Sequence, residues 1–149
     1  MPYDPNFIEG AVVDLPTLTS AIQQQALNGG TPIDHTNFSL VFNQVRGFAV
    51  YSAHNIDAET FLDDGPDRHG FTLDPLVPRH LQVDNNRGYK GFPSKDDNPW
   101  DAGHLARRKS LHWHDMPTAT LADKESSHWT NITPQHKDMN RQGKPWANG

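Results

Sequence analysis

Apolar and polar positions alternate most clearly between Asn37 and Ala53. Phe38, Leu40 and Phe42 fall on alternate positions, and Phe48 to Ala53 is rich in aromatic and β-favouring residues. This pattern predicts a hairpin turning near Gln44 to Gly47 that forms the core pair of a sheet. Upstream, Tyr3 to Ile8 reads as an extended arm. Leu18, Ala21, Ile22 and Gln25 then recur at helical spacing, which predicts a helix opening at Leu15-Pro16, capped by Asp14 and stopped by Asn28-Gly29-Gly30. The run Gln23 to Gln25 reads equally well as a solvated loop. From Asp57 to Trp100 the chain is dense in Pro, Gly, Asp and Asn and reads as irregular loop with short strands. A short strand or turn is expected before His104, a second strand over Ser127 to Ile132, and a helix starting at Thr133-Pro134, because threonine caps well and proline suits the first helical position. Gly143 and Pro145 should end or kink that helix.

Composition narrows the class. The chain has 149 residues, room for one domain spanning 1–149, and its 34% hydrophobic content with mean hydropathy −0.77 is polar for a packed core. The absence of cysteine excludes disulfides and thiolate metal sites. No apolar run follows Met1, so neither a signal peptide nor a membrane span is expected, and the localisation stays open. The net charge of −5 is uneven: residues 1–78 hold ten Asp/Glu against Arg46 and Arg68, whereas 79–109 hold seven Lys/Arg against four Asp. A positive strip on an acidic body still attracts phosphate.

Two segments carry candidate chemistry. Asp101-Ala102-Gly103-His104-Leu105-Ala106-Arg107-Arg108 sets a histidine beside a glycine and a basic pair, and Asn131-Ile132-Thr133-Pro134-Gln135 is followed by Asn140. Phosphodiester hydrolysis needs a base to deprotonate water and positive charge to offset the charge building on phosphate and leaving oxygen. Histidine titrates near working pH. Asparagine offers the hard oxygen that Mg²⁺ prefers.

These motifs resemble those of the DNA/RNA non-specific endonucleases of the ββα-metal superfamily, which include Serratia-type secreted nucleases and mitochondrial endonuclease G. The family signature is Asp-Arg-Gly-His, then Asn-Ile-x-Pro-Gln and a second Asn. The likeness extends upstream through Phe38 to Val41, Arg46 and His54 to Asp57, and covers roughly Tyr3 to Trp146. It implies an α+β fold with a central antiparallel sheet flanked by helices and a ββα-metal motif. It implies His104 as general base, Asn140 as ligand of Mg²⁺ or Mn²⁺, and Arg68, Arg107 and Arg108 as contacts to substrate phosphates. Asn131 and Gln135 would support the loop or touch metal-bound water. Members of the family are often exported or organellar.

The chain departs from the family at two places. Ala102 stands where the family has an arginine expected at the scissile phosphate, and Arg107 or Arg108 is a candidate replacement for that charge. The family also continues through a tryptophan to a Leu-Glu pair, whereas this sequence stops at Trp146-Ala147-Asn148-Gly149. The C-terminal part of the family fold is therefore expected to lie outside this chain, with the remainder supplied by another chain. Against the catalytic readings stand plainer ones: a surface histidine, a helix-surface asparagine, solvated loop arginines. His112-Trp113-His114-Asp115 reads as a core tryptophan with two incidental histidines rather than a zinc site, and Trp100, Trp129 and Trp146 read as packing residues.

The resulting expectation is a divalent-metal-dependent endonuclease that cuts DNA and RNA by a one-metal mechanism. The alternative is a catalytically impaired nuclease-fold subunit that binds nucleic acid or a partner chain. Expected partners are DNA and RNA, together with a second polypeptide or a second copy of the chain.

Overall fold

The computed structural model describes residues 1–89 and 98–141. Its core is a three-stranded antiparallel sheet, β1 (Ile33–His35), β2 (Phe38–Asn43) and β3 (Phe48–His54), in the order β1-β2-β3. All six residues of the central strand β2 are buried. Phe38, Leu40 and Phe42 point into a cluster with Ile33, Val77, Ala106, Leu111 and Ala122. The predicted hairpin is present at the predicted place. Its turn is made by Asn43, whose Oδ1 accepts from the amides of Val45 and Arg46, both at 3.0 Å. Gly47 closes the turn at φ 76°, where a Cβ would lie 2.9 Å from the Leu81 carbonyl oxygen.

The N-terminal arm is extended and docked: Tyr3 donates its amide to Ser39 Oγ, and Asp4 donates its amide to Asn55 Oδ1. Helix α1 is shorter than the periodicity suggests. It spans Ser20–Gln25 and is capped by Thr19, not Asp14. Residues 11–13 fold back on the arm instead, with Val13 bonded through its amide to Pro5 O and through its carbonyl to the Tyr3 hydroxyl. The helix ends before the expected Asn28-Gly29-Gly30: Ala26 is already extended as its C-cap, and Asn28 and Gly29, with positive φ, shape the turn that follows.

The stretch from Asp57 to the described end at Tyr89 is mostly irregular, held by single bridges such as Phe61 with Trp113 and Thr72 with His128. Beyond it lies helix α2 (Met116–Ser126), which the hydrophobic pattern does not announce. Asp115 caps it by accepting from the Thr118 amide, and Pro117 sits in its first turn. Its inward face consists of small or polar residues, Ala119, Ala122, Asp123 and Ser126, so apolar periodicity is weak there.

The second sheet is the antiparallel pair β4 (Trp100–His104) and β5 (Ile132–His136), followed directly by helix α3 (Lys137–Asn140). Here the expected boundaries shift. Ser127 to Asn131 is a buried turn rather than a strand, β5 begins only at Ile132, and Thr133-Pro134 lies inside β5 rather than opening the helix. The residue before a proline is pushed out of the helical region, and pairing with β4 holds the stretch extended. Gln135 and His136 then continue the pairing opposite Asp101 and Trp100, so the helix begins only after His136. The expected break at Gly143 and Pro145 lies outside the described residues, as does Trp146. No described helix is long and apolar enough to cross a membrane.

Candidate active site

Strand β4 delivers the first motif. Pairing places His104 opposite Ile132, Gly103 opposite Thr133 and Asp101 opposite Gln135. The glycine has a steric reason: a Cβ on Gly103 would fall 2.1 Å from the Gln135 side chain, which crosses β4 there to donate Nε2 to the His104 carbonyl at 3.0 Å. Gln135 thus fixes the backbone that carries the histidine.

Asn131 holds the turn just beyond the histidine. Fully buried, it donates Nδ2 to Ala106 O and Ser126 O and accepts from the Ala106 amide, at 3.0, 2.9 and 2.9 Å. Its carbonyl also accepts from the Leu105 amide. This asparagine clamps the loop behind His104.

The His104 ring is half-buried beside Phe71, with ring centroids 5.5 Å apart, and its Nε2 is buried with no hydrogen-bond partner. Burial first, then the nearby Arg68 and Arg108 charges, lower its pKa to about 4, so the imidazole is neutral at working pH. Arg68 is exposed and lies over the Phe71 ring at 5.7 Å. Arg108 is anchored: its Nη1 donates to Asp123, a fully buried carboxylate of α2 that also accepts from His112 Nε2 at 2.9 Å and from the His69 amide at 3.0 Å. His69 Nδ1 lies 2.9 Å from the same carboxylate. Burial raises the Asp123 pKa, but the bonds from His69, Arg108 and the His69 amide outweigh it and hold the group below the usual carboxylate value. Arg107 is exposed and outside this network.

Sequence reasoning missed Asp123 and read His112 as incidental. The available signal was a lone acid among the small residues Ala119, Ala122 and Ser126 on one helix face, which requires a cationic or donating partner when buried.

Nearer the start of β4, Asp101 joins the strand to α3. It accepts from Arg141 Nη2 at 2.8 Å, Arg141 Nε at 3.0 Å and Asn140 Nδ2 at 3.3 Å. The bond from Arg141 is the largest cause of its lowered pKa. No described residue donates to Asn140 Oδ1. A neutral amide oxygen next to an ionised carboxylate is a donor set of hard oxygens, which fits a divalent ion of the Mg²⁺ class.

Ala102 lines a cleft of about 490 Å³ with Phe71, Trp129, Asp84, Asn85 and Asn86. Tyr89 stacks on Trp129 to back that wall, with centroids 5.4 Å apart. Trp113 and Trp129 are buried as expected, whereas Trp100 is 45% exposed against His136.

Strand, strand and short helix, with His104 on the first and Asn140 at the end of the third, match a known pattern. The sequence pattern of the DNA/RNA non-specific endonucleases fits residues 19–148. The chain belongs to this family. An uncharacterised protein of Sinorhizobium fredii (strain NBRC 101917 / NGR234), y4fB, is 33% identical over 149 residues, which cover 90% of this chain and 22% of that protein. A chain in the crystal structure of the EndoG/EndoGI complex, which describes the mechanism of EndoG inhibition, superposes with a TM-score of 0.60 at 18% identity, covering 91% of this chain and 52% of that one. That likeness shows a shared nuclease fold. The chain spans about a fifth of the curated relative and about half of the solved one.

Proposed function

We propose that residues 1–149 act as one nuclease domain that hydrolyses phosphodiester bonds of DNA and RNA without base preference, using one divalent ion, Mg²⁺ or Mn²⁺. The observation that carries this reading is His104: a neutral imidazole with an unpartnered buried nitrogen, flanked by Arg68 and Arg108 and set on the strand that Asp101 ties to Asn140. The imidazole accepts a proton from the attacking water. The water oxygen bonds to phosphorus, the P–O3′ bond breaks, and the leaving 3′ oxygen takes a proton from solvent water, so the products carry a 5′-phosphate and a 3′-hydroxyl. Asn140 Oδ1, with Asp101 beside it, would hold the ion, which supplies positive charge at the phosphate and the departing oxygen. Arg68 and Arg108 hold the neighbouring backbone, with Arg107 reaching it from the surface. Contacts made to phosphate rather than base edges account for the lack of sequence preference.

A second reading rests on Ala102 and on β3. Ala102 leaves the cleft without the family arginine. Among the described strands β3 pairs only with β2, and Val50 on it is exposed. A partner chain, or a second copy, that adds a strand to this edge would complete a divided enzyme or engage a weakly cutting subunit.

Cleavage of supercoiled plasmid and of RNA separates the two readings. Metal-dependent cutting abolished by EDTA and reduced about 10²–10⁴-fold in His104→Ala supports the endonuclease. If the chain alone is silent, restoration by Ala102→Arg or by a co-purifying chain identifies the second reading. Silence throughout overturns both as enzymes.

A further inference from the structure

Away from the β4-β5-α3 motif, three side chains converge inside the fold. His35 ends β1, Asp74 opens the turn that starts at Asp74-Pro75, and His128 lies in the turn leading to β5; they are 6%, 1% and 5% exposed. One donor atom from each lies within 4.8 Å of the other two. His35 Nε2 is 3.2 Å from Asp74 Oδ2, and His128 Nδ1 is 3.8 Å from Asp74 Oδ1. The second of these nitrogens, His128 Nδ1, is buried without a hydrogen bond. Such orphaned buried groups are rare and require an explanation, of which a bound ion is one.

We propose that His35, Asp74 and His128 form a binding site for a borderline transition metal of the Zn²⁺ class, separate from the hard-oxygen site at Asn140. Ligands at ~2.1 Å from a tetrahedral ion stand about 3.4 Å apart; the His35–Asp74 separation of 3.2 Å is close to this, and donors spread over at most 4.8 Å would draw together on an ion. The chemistry fits as well, since two imidazoles and a carboxylate favour zinc, cobalt or nickel over magnesium. Asp74 is ionised: its burial is outweighed by bonds from His35 and Thr130, whose hydroxyl donates to Oδ2 at 2.6 Å. Glu125 Oε2 stands 4.0 Å from His35 Nδ1, beyond hydrogen-bond reach, and accepts from the Thr36 amide instead.

The site would join three segments that backbone pairing links only weakly. Asp74 and His128 sit on the two stretches cross-bonded by Thr72 N to Ser127 O and Trp129 N to Thr72 O, and His35 belongs to the main sheet. Phe71 and Trp129, which wall the cleft beside His104, lie on those same stretches. The metal is thus a staple between the core sheet and the cleft.

The test uses chelator-stripped full-length chain titrated separately with Zn²⁺ and Mg²⁺. One equivalent of Zn²⁺ should survive gel filtration, and Zn²⁺ at about a hundred times its Kd should raise the Tm by about 5–10 °C, with no comparable rise from Mg²⁺. His128→Gln should lose both effects, whereas His114→Gln, on an exposed histidine elsewhere, should keep them. If His128→Gln does not fold, X-ray absorption on the zinc-loaded natural chain decides: two imidazoles with oxygen ligands support the site, and a shell of oxygens alone overturns it. Failure to retain stoichiometric Zn²⁺, or equal retention by a folded His128→Gln, also overturns it. None of these readouts depends on nuclease activity.

Discussion

The chain contains two antiparallel strand pairs that differ in how they are held. In the β2-β3 hairpin, the strands are adjacent in sequence, joined by a short turn that Asn43 and Gly47 shape, and β2 is buried along its whole length. In the β4-β5 pair, the strands are separated by residues 105–131, and β4 has only Gly103 buried. The first pair closes a small loop over an apolar face, so burial and local turn chemistry suffice. The second exposes its edges for chemistry and depends on polar clamps: Asn131 behind the histidine, Gln135 across the glycine, and Asp101 to the helix. Stability is concentrated in one pair and the candidate chemistry in the other.

That division is testable. Phe42→Ala, in the buried strand, should destabilise the whole chain by about 3–5 kcal/mol in urea unfolding, because it removes a large core side chain and leaves a cavity. Loss of activity should then track loss of fold. A change below about 1 kcal/mol would show that the hairpin is not the stabilising half. Asn131→Ala should cost about 1–3 kcal/mol, as the Ala106 amide and the Ala106 and Ser126 carbonyls lose their buried partner. Unlike Phe42→Ala, it should depress cleavage under conditions where circular dichroism shows the chain still folded. Equal activity in folded mutant and parent would break the view of Asn131 as the clamp behind His104.

The smallest effect concerns pH. His104 titrates near 6.5 when unfolded and about 4 when folded, so between those values the unfolded chain binds more protons. The stability linked to this group is complete above pH ~6.5 and is lost progressively as pH falls towards about 4. His104→Ala should therefore flatten the Tm-against-pH curve in that window and nowhere else. Cleavage should show no acid limb from this group between about pH 8 and pH 5, because the imidazole stays neutral throughout. An acid limb centred near pH 6.5 that disappears in His104→Ala would mean that the histidine is not desolvated in solution.

The order of the polar residues follows the same contrast. Asp123 is fully buried yet contributes to no apolar cluster; it positions Arg108 beside His104 while binding His69 and His112. Asp74 has the corresponding place between His35 and His128. Each carboxylate gathers residues from segments far apart in sequence, and each marks a junction between core sheet and cleft.

Local sequence was enough to specify the hairpin, its turn and the family of the two motifs, because these depend on neighbours in the chain: alternation against one face, a side chain capping its own turn, and residue types at fixed spacing. It also pointed to His104 and Asn140. Three-dimensional packing was needed to assign Thr133-Pro134 to a strand, since pairing with β4 combines with the bias before proline. Packing also made Asn131 a clamp, separated the roles of Arg107 and Arg108, and brought His35, Asp74 and His128 together. A buried polar side chain takes its role from partners tens of residues away, and no local periodicity encodes which of nine histidines will find an acid.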